Sequence, residues 1–386
     1  MPRERRSRLD RLHATHLIEE IFEEQDLHAK RVESLANGVV GALRTSVLSV
    51  HAVGQAYAEL AGIGPKHGVK QVDRFLSNRA FDVWRLLRSW AKFVIGGRKE
   101  IVIALDWTDF ELDDHTTLAA YAVTRHGRAT PLAWKTVLKS KLKGKRVAHE
   151  RTFLSDLAKA LPEDVHVTLL ADRGFADQSL YGELDKLGWD YVVRFKDNVF
   201  VEHHGVQTQA RQLVPASGRA TILRDVRLTG KRTLVKAIVL VHAKKMKEAW
   251  CLVTSLSERR ASEVVALYGK RFTIEETFRD QKDLRFGLGL RATHIHNADR
   301  RDRLLLLAAM AHALLTLLGA ASEATGLDRM LKVNTSPKRT HSLFRQGTYW
   351  YGAIPHMRDD WLQSLMTAFD RIMNEHEVFR EILAAI

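Results

Sequence analysis

Four residues in the stretch Tyr268-Gly-Lys-Arg-Phe-Thr-Ile-Glu-Glu-Thr-Phe-Arg-Asp-Gln-Lys282 stand in the pattern Y-x2-R-x3-E-x6-K: Tyr268, Arg271, Glu275 and Lys282. One acid lies among three groups able to hold phosphate. On a helix, Arg271 and Glu275 are one i,i+4 step apart, with Tyr268 a turn upstream and Lys282 seven residues beyond the acid. A carboxylate so placed can ligate a metal while its neighbours hold a polyanionic backbone. The same spacing also describes an ordinary surface helix with an Arg–Glu pair.

Two further acids are marked by position. The apolar run Ile101-Val-Ile-Ala-Leu105 reads as a strand buried on both faces and is expected to end at Asp106; the run 165–171 reads likewise and leads to Asp172. Two strand-end carboxylates and one from a covering helix can converge on two divalent cations. Hard oxygen donors suit Mg2+ or Mn2+, whose coordination is completed by water and substrate phosphate. Two such ions can activate an attacking oxygen and stabilise a leaving one, in line, at phosphorus. Taken singly, Asp106 can cap a turn and Asp172 can pair with Arg173.

The elements that must carry these acids follow from periodicity. Residues 10–95 read as helical throughout, with Leu12, Leu17, Ile18, Ile21 and Phe22 at helical spacing and a break expected across Gly62–Gly68. Lys66, His67, Lys70, Gln71 and Arg74 cluster at this break, which fits a helical DNA-binding domain or a helical cap with a solvated basic face. After Gly96-Gly97, strands are expected at 101–105, 118–124 and 132–138, with a hairpin at His126-Gly127. A helix at 150–161, a strand at 165–171, a helix at 178–187 and a strand at 191–195 complete an α/β unit. Runs at 220–228, 233–241 and 249–254 are β-like, separated by turns at Gly230-Lys231 and Lys244–Lys247. The tail from 300 reads as helix, with a loop at 334–355. Its apolar stretch 304–321 is near the short limit for a bilayer span and reads better as a core or dimer helix.

Composition limits the function classes. The chain has 386 residues, 45% hydrophobic and 27% charged, as expected of a folded soluble protein. Sixty Lys and Arg against 46 Asp and Glu give a net charge of +14, which favours a polyanionic partner such as nucleic acid. Cys251 is the single cysteine, which excludes an internal disulfide and cysteine-paired zinc sites, and fits a reducing cytoplasm. The basic segment 1–8 has no apolar h-region and is not read as a secretory signal.

Together these residues resemble a DDE transposase of bacterial insertion-sequence family four, the group with the YREK signature. Tyr268, Arg271, Glu275 and Lys282 match that signature at every spacing, and Asp106 before Trp-Thr and Asp172 before Arg-Gly match the first two acids. The resemblance implies a ribonuclease-H-like catalytic domain, with a β insertion between the second acid and the Glu. It implies two Mg2+ ions, replaceable by Mn2+, bridged by Asp106 with Asp172 and Glu275 each completing one site. Tyr268, Arg271, Lys282 and Arg194 are implied DNA contacts, and Trp250 the stacking platform for a flipped base. Implied partners are terminal inverted repeats, target DNA and a second copy of the chain. An aromatic follows Arg271, here Phe272, and only the signature spacing chooses Glu275 over Glu276.

The expected organisation is a helical DNA-binding domain at 1–97, the first part of the catalytic domain at 98–196 and a β-rich insertion at 197–256. The rest of the catalytic domain is expected at 257–325, and a C-terminal helical region at 326–386. Two groups stay open: the basic run Lys139, Lys141, Lys143, Lys145 and Arg146, as groove lining or solvated hairpin tip, and Arg291, His294, His296, Arg300, Arg301 and Arg303, which resemble a phosphate-contacting cluster.

Overall fold

Capping chemistry sets the helices of the first hundred residues. A computed structural model describes residues 11–375 except Asp26, Ser46, Arg125, Gly230, Phe286, Asn334 and Pro337, together with Ile382. The basic segment 1–8, Gly230 of the expected turn and Asn334 of the expected loop lie outside the described residues. Helices α1 (Arg11–Phe22), α2 (Ala29–Arg44), α3 (Val50–Ala61), α4 (Pro65–Ser77) and α5 (Val83–Ile95) precede the first strand. Ser49 and Asp82 accept backbone N–H groups at the starts of α3 and α5, and Gly62 and Gly96 end those helices in the left-handed conformation. The expected break runs only from Gly62 to Gly64, because Pro65 is well placed in a first helical turn and α4 resumes there. Gly68 lies inside α4 for a packing reason. A Cβ on Gly68 would meet the Gly54 carbonyl oxygen at 2.2 Å, so α3 and α4 are in backbone contact.

Among the described residues, ten strands form one mixed sheet: β1 (Glu100–Phe110), β2 (His115–Ala122), β3 (Thr130–Leu138), β4 (His166–Ala171), β5 (Asp190–Phe195), β6 (Phe200–His203), β7 (Val206–Gln209), β8 (Thr221–Leu228), β9 (Thr233–Val241) and β10 (Trp250–Thr254). Their order is β3-β2-β1-β4-β5-β10-β9-β8-β6-β7. The crossovers between β3 and β5 carry helices α6 (Arg146–Ala160) and α7 (Gln178–Lys186).

The expectation that the first strand ends at Asp106 is corrected. Its parallel pairing with β4 stops at Leu105↔Ala171, but antiparallel pairing with β2 continues from Asp106↔Ala119 to Phe110↔His115. Asp106 therefore lies inside β1, at the point where its parallel neighbour runs out. Residues between β5 and β10 extend the same sheet, since β10 pairs with β5. The hairpin β6–β7, absent from the periodicity reading, is four residues on each side and turns through His204 and Gly205, both at positive φ.

Helices α8 (Ala261–Gly269) and α9 (Phe272–Lys282) follow the sheet, then α10 (Ala298–Ala324), α11 (Leu343–Ala353) and α12 (Asp359–Asn374). The apolar helix α10 passes between α2, α11, α12 and β3, and 94% of its most apolar window is buried inside the protein. It is a core helix. The expectation that its apolar face is available to a second copy is therefore corrected. Helix α11 replaces part of the expected loop at 334–355. Glycine disfavours helix by propensity, yet a Cβ on Gly347 would meet the Leu315 carbonyl oxygen at 1.8 Å, and tertiary packing decides.

The arginine cluster at the start of α10 is structural. Arg301 is fully buried, donating to Thr293 Oγ1 at 2.6 Å and pairing with Asp113. Arg303 donates to the carbonyls of Phe81 (3.0 Å) and Leu76 (2.8 Å), and Arg300 pairs with Asp73 at 2.7 Å. Arg300 and Arg303 thus fasten α10 to the N-terminal helices, and Arg301 ties it to the turn after β1, so all three are engaged within the protein, which corrects their phosphate-contacting reading.

Candidate active site

Asp106 stands half-buried where β1 outruns β4. Its Oδ1 accepts from the Trp107 backbone N–H at 2.8 Å and its Oδ2 from Arg271 Nη1 at 3.0 Å. Burial pushes its carboxyl up to about 6; Arg271 draws it back down, and the carboxylates of Asp172 and Glu275 add repulsion. Asp172 follows the last residue of β4, one step along from the Leu105↔Ala171 pair, and caps a short turn by accepting from Gly174 N–H at 2.7 Å. Glu275 lies in the first turn of α9, where a carboxylate is favoured by the helix dipole. Its Oε1 accepts from Arg271 Nη2 at 2.5 Å. The crevice thus forms at the carboxyl ends of parallel strands, where open α/β sheets bind ligands.

Arg271 is the hub. It is 5% exposed, and its two Nη atoms join the Asp106 and Glu275 carboxylates across the crevice. The sequence favours a clamp on DNA over a partner that neutralises Glu275; the side chain in fact bridges both acids. Its guanidinium lies 5.1 Å from the Phe272 ring centre and 6.0 Å from that of Tyr268. Glu276 points elsewhere, pairing with Arg279 at 2.9 Å and lying 3.9 Å from Arg128.

The signature straddles two helices, which corrects the picture of one continuous helix. Tyr268 belongs to the end of α8, where it is buried edge-on against Trp250 at 5.0 Å, and burial pushes its hydroxyl up to about 12. Trp250 is half-buried and stacks on Phe272, ring centres 5.8 Å apart. Phe272 itself is exposed. Arg194, beside them, pairs with Glu248 at 2.9 Å and donates to the Ala249 carbonyl at 3.1 Å. Glu248 also takes Arg173 at 3.1 Å, so the alternative pairing of Arg173 with Asp172 is not made. Lys282, the last residue of α9, donates to the Asp109 carbonyl at 2.6 Å and stands 4.7 Å over the Phe110 ring. Burial holds its ammonium down to about 8.

Arg271 therefore joins Asp106 and Glu275, with Asp172 near enough for its charge to raise Asp106, an aromatic group on one side and Lys282 at the far end of α9. Residues 97–314, more than half of the chain, match the family model of the transposase DDE domain. The chain belongs to that family. No curated protein matches it. A DDE transposase is an enzyme acting on DNA, which agrees with the +14 charge of this chain.

DDE transposases generally use divalent metals. Among the described residues, no three acidic, histidine or cysteine side chains form a ready-made metal cluster. The donor set of the transposase crevice nonetheless fits a hard cation. Its donors are carboxylates, and both the burial that raises Asp106 and the neighbouring negative charges that add to it are offset by a bound cation.

Sequence reasoning missed a neighbouring network. Glu150, buried on α6, accepts from Trp107 Nε1 at 2.7 Å and from Arg146 Nε at 3.1 Å. The i,i+4 spacing of Arg146 and Glu150 was the one available signal, and it does not reveal Trp107 as the third member.

Proposed function

We propose that this chain is a cut-and-paste DNA transposase of insertion-sequence family four, with a ribonuclease-H-like catalytic core, acting as a homodimer on terminal inverted repeats. The observation that carries the reading is the bridge from Arg271 to Asp106 and Glu275, with Asp172 just past the end of the strand beside β1 and its charge felt at Asp106. Asp106, Asp172 and Glu275 would hold two Mg2+ ions, or Mn2+, which when bound supply activation of the attacking oxygen and stabilisation of the leaving one.

Water opens the phosphodiester at the transposon end, releasing a 3′-OH. That hydroxyl displaces the 5′ neighbour on the opposite strand to form a hairpin, a second hydrolysis opens it, and the same 3′-OH then joins target DNA. Every step is an in-line displacement at phosphorus, so positioning and charge stabilisation are what the protein must supply. Arg271 fixes the separation of Asp106 and Glu275. Trp250, braced by buried Tyr268 and backed by Phe272, offers a face to a flipped base, an interaction of about 1–3 kcal/mol. Lys282 and Arg194 flank the crevice and meet the phosphates leading to it. Helix α4, locked to α3 at Gly54 and Gly68, presents exposed Lys66, His67, Lys70, Gln71 and Arg74 and serves as the DNA-reading helix.

The test is incubation of purified protein with Mg2+ and DNA fragments carrying the ends of the element that encodes it, read on denaturing gels. Hairpin ends are expected. Cutting without hairpins would assign a simple nuclease, and binding without cutting a repressor.

A further inference from the structure

We propose that Arg146 is a DNA phosphate-binding residue of the crevice, aimed at the side of Asp172 by Glu150 and Trp107. The proposal rests on the transposase reading and adds a residue outside the Tyr–Arg–Glu–Lys signature. Three observations carry it.

First, Arg146 is held without being used up. Its Nε donates to Glu150 Oε1, the same oxygen that accepts from Trp107 Nε1. The guanidinium carbon lies 5.4 Å from the Trp107 ring centre and 5.7 Å from that of Phe175. Among the described residues, no hydrogen bond engages Nη1 or Nη2, and the side chain keeps 43% of its surface open. A guanidinium fixed through Nε between two rings presents its two Nη groups as a fork suited to phosphate.

Second, the fork lies beside a catalytic acid. A Cβ built on Gly174 would stand 3.3 Å from Arg146 Nη2 and 3.0 Å from Asp172 Oδ1. The two atoms are therefore no more than 6.3 Å apart, the sum of those distances, and the missing side chain of Gly174 keeps the gap between them open.

Third, the anchor is expensive. Glu150 is 4% exposed, and a buried carboxylate held by a tryptophan N–H and a half-exposed arginine is costly merely to fasten a surface side chain. The contrast with Arg303 is direct: there both donors end on backbone carbonyls inside the protein.

Arg146 would touch substrate; Glu150 and Trp107 act through it as positioning residues. The experiment measures DNA-end affinity over a salt series, and single-turnover cleavage at saturating DNA, for the full chain and for Arg146→Gln, Arg146→Lys and Glu150→Gln. Arg146→Gln is expected to lower the salt slope by about 0.9, the contribution of one phosphate contact on duplex DNA, and to slow cleavage at least tenfold. Arg146→Lys should recover the slope but not the full rate, since lysine keeps the charge and loses the fork and the Nε anchor. Glu150→Gln should keep the slope and slow cleavage less than Arg146→Gln does. A wild-type salt slope together with a wild-type rate in Arg146→Gln overturns the proposal, as does a wild-type slope in a variant that has merely lost thermal stability. The slope is read from binding alone, so it reports on Arg146 even if the wild-type chain fails to cut, an outcome that counts against the function reading instead.

Discussion

Arg271 in the crevice and Arg301 at the start of α10 look alike in the sequence, each in a basic stretch, and both are buried. Their partners separate them. Arg301 meets Asp113 and Thr293, which also bond the backbone of Ile295 and Leu290, and these bonds tie one element to another. Arg271 meets Asp106 and Glu275, and the carboxyl of Asp106 is raised first by burial and further by the charges of Asp172 and Glu275. Positive charge alone therefore does not mark a phosphate site. What marks it is a cation placed among groups that would otherwise repel one another, beside a surface that remains open.

The largest expected effects lie on the crevice side of this comparison. Asp106→Ala and Asp172→Ala should each abolish end cleavage while leaving end binding within a few fold of wild type; loss of binding in step with cleavage would make these acids structural. On the other side, Arg301→Ala leaves Asp113 buried without its partner, a change that costs about 3–5 kcal/mol. Chemical denaturation should show that loss, while the salt slope of DNA binding stays at its wild-type value. A stable Arg301→Ala protein with a reduced slope would move Arg301 into the DNA-contact group. Lys282→Ala should weaken end binding several fold and reduce the salt slope by about 0.9, and an unchanged slope would remove Lys282 from the interface.

A smaller effect tests the core that supports both regions. Burial holds His126 down to about 4 and His312 down to about 3, against an ordinary value of 6.5. The unfolded chain takes up these protons below about pH 6.5 while the folded chain stays neutral to about pH 4, so their contribution is complete above 6.5 and lost as pH falls. His312→Gln should flatten the decline in melting temperature between pH 6.5 and 4. Parallel wild-type and variant profiles would show that these histidines do not set the acid limit.

Much of this arrangement was legible beforehand because it is local. The apolar runs of β1, β4 and β5 announce buried strands, and the acids stand at or beside their ends. What escaped depends on partners distant in the chain. Residues 107–110 stay in strand because β2 returns to pair with them, which no property of Trp107-Thr-Asp-Phe110 reveals. Helix α11 forms because Gly347 lets it lie against Leu315. The bond from Arg271 to Asp106 spans the whole β-rich segment, so spacing could propose the Arg–Glu pair but not the bridge. The network of Trp107, Arg146 and Glu150 was hidden for the same reason.

The central claim is that Glu275, joined to Asp106 through Arg271, is the third acid of the crevice, and that its neighbour Glu276 is not. The most direct measurement is Mg2+-dependent cleavage of end-containing DNA by Glu275→Gln and Glu276→Gln, at DNA concentrations that saturate both variants. The account predicts no cleavage by Glu275→Gln and near wild-type cleavage by Glu276→Gln, whose side chain lies with Arg128 and Arg279. Sustained cleavage by Glu275→Gln, with loss in Glu276→Gln, would contradict it.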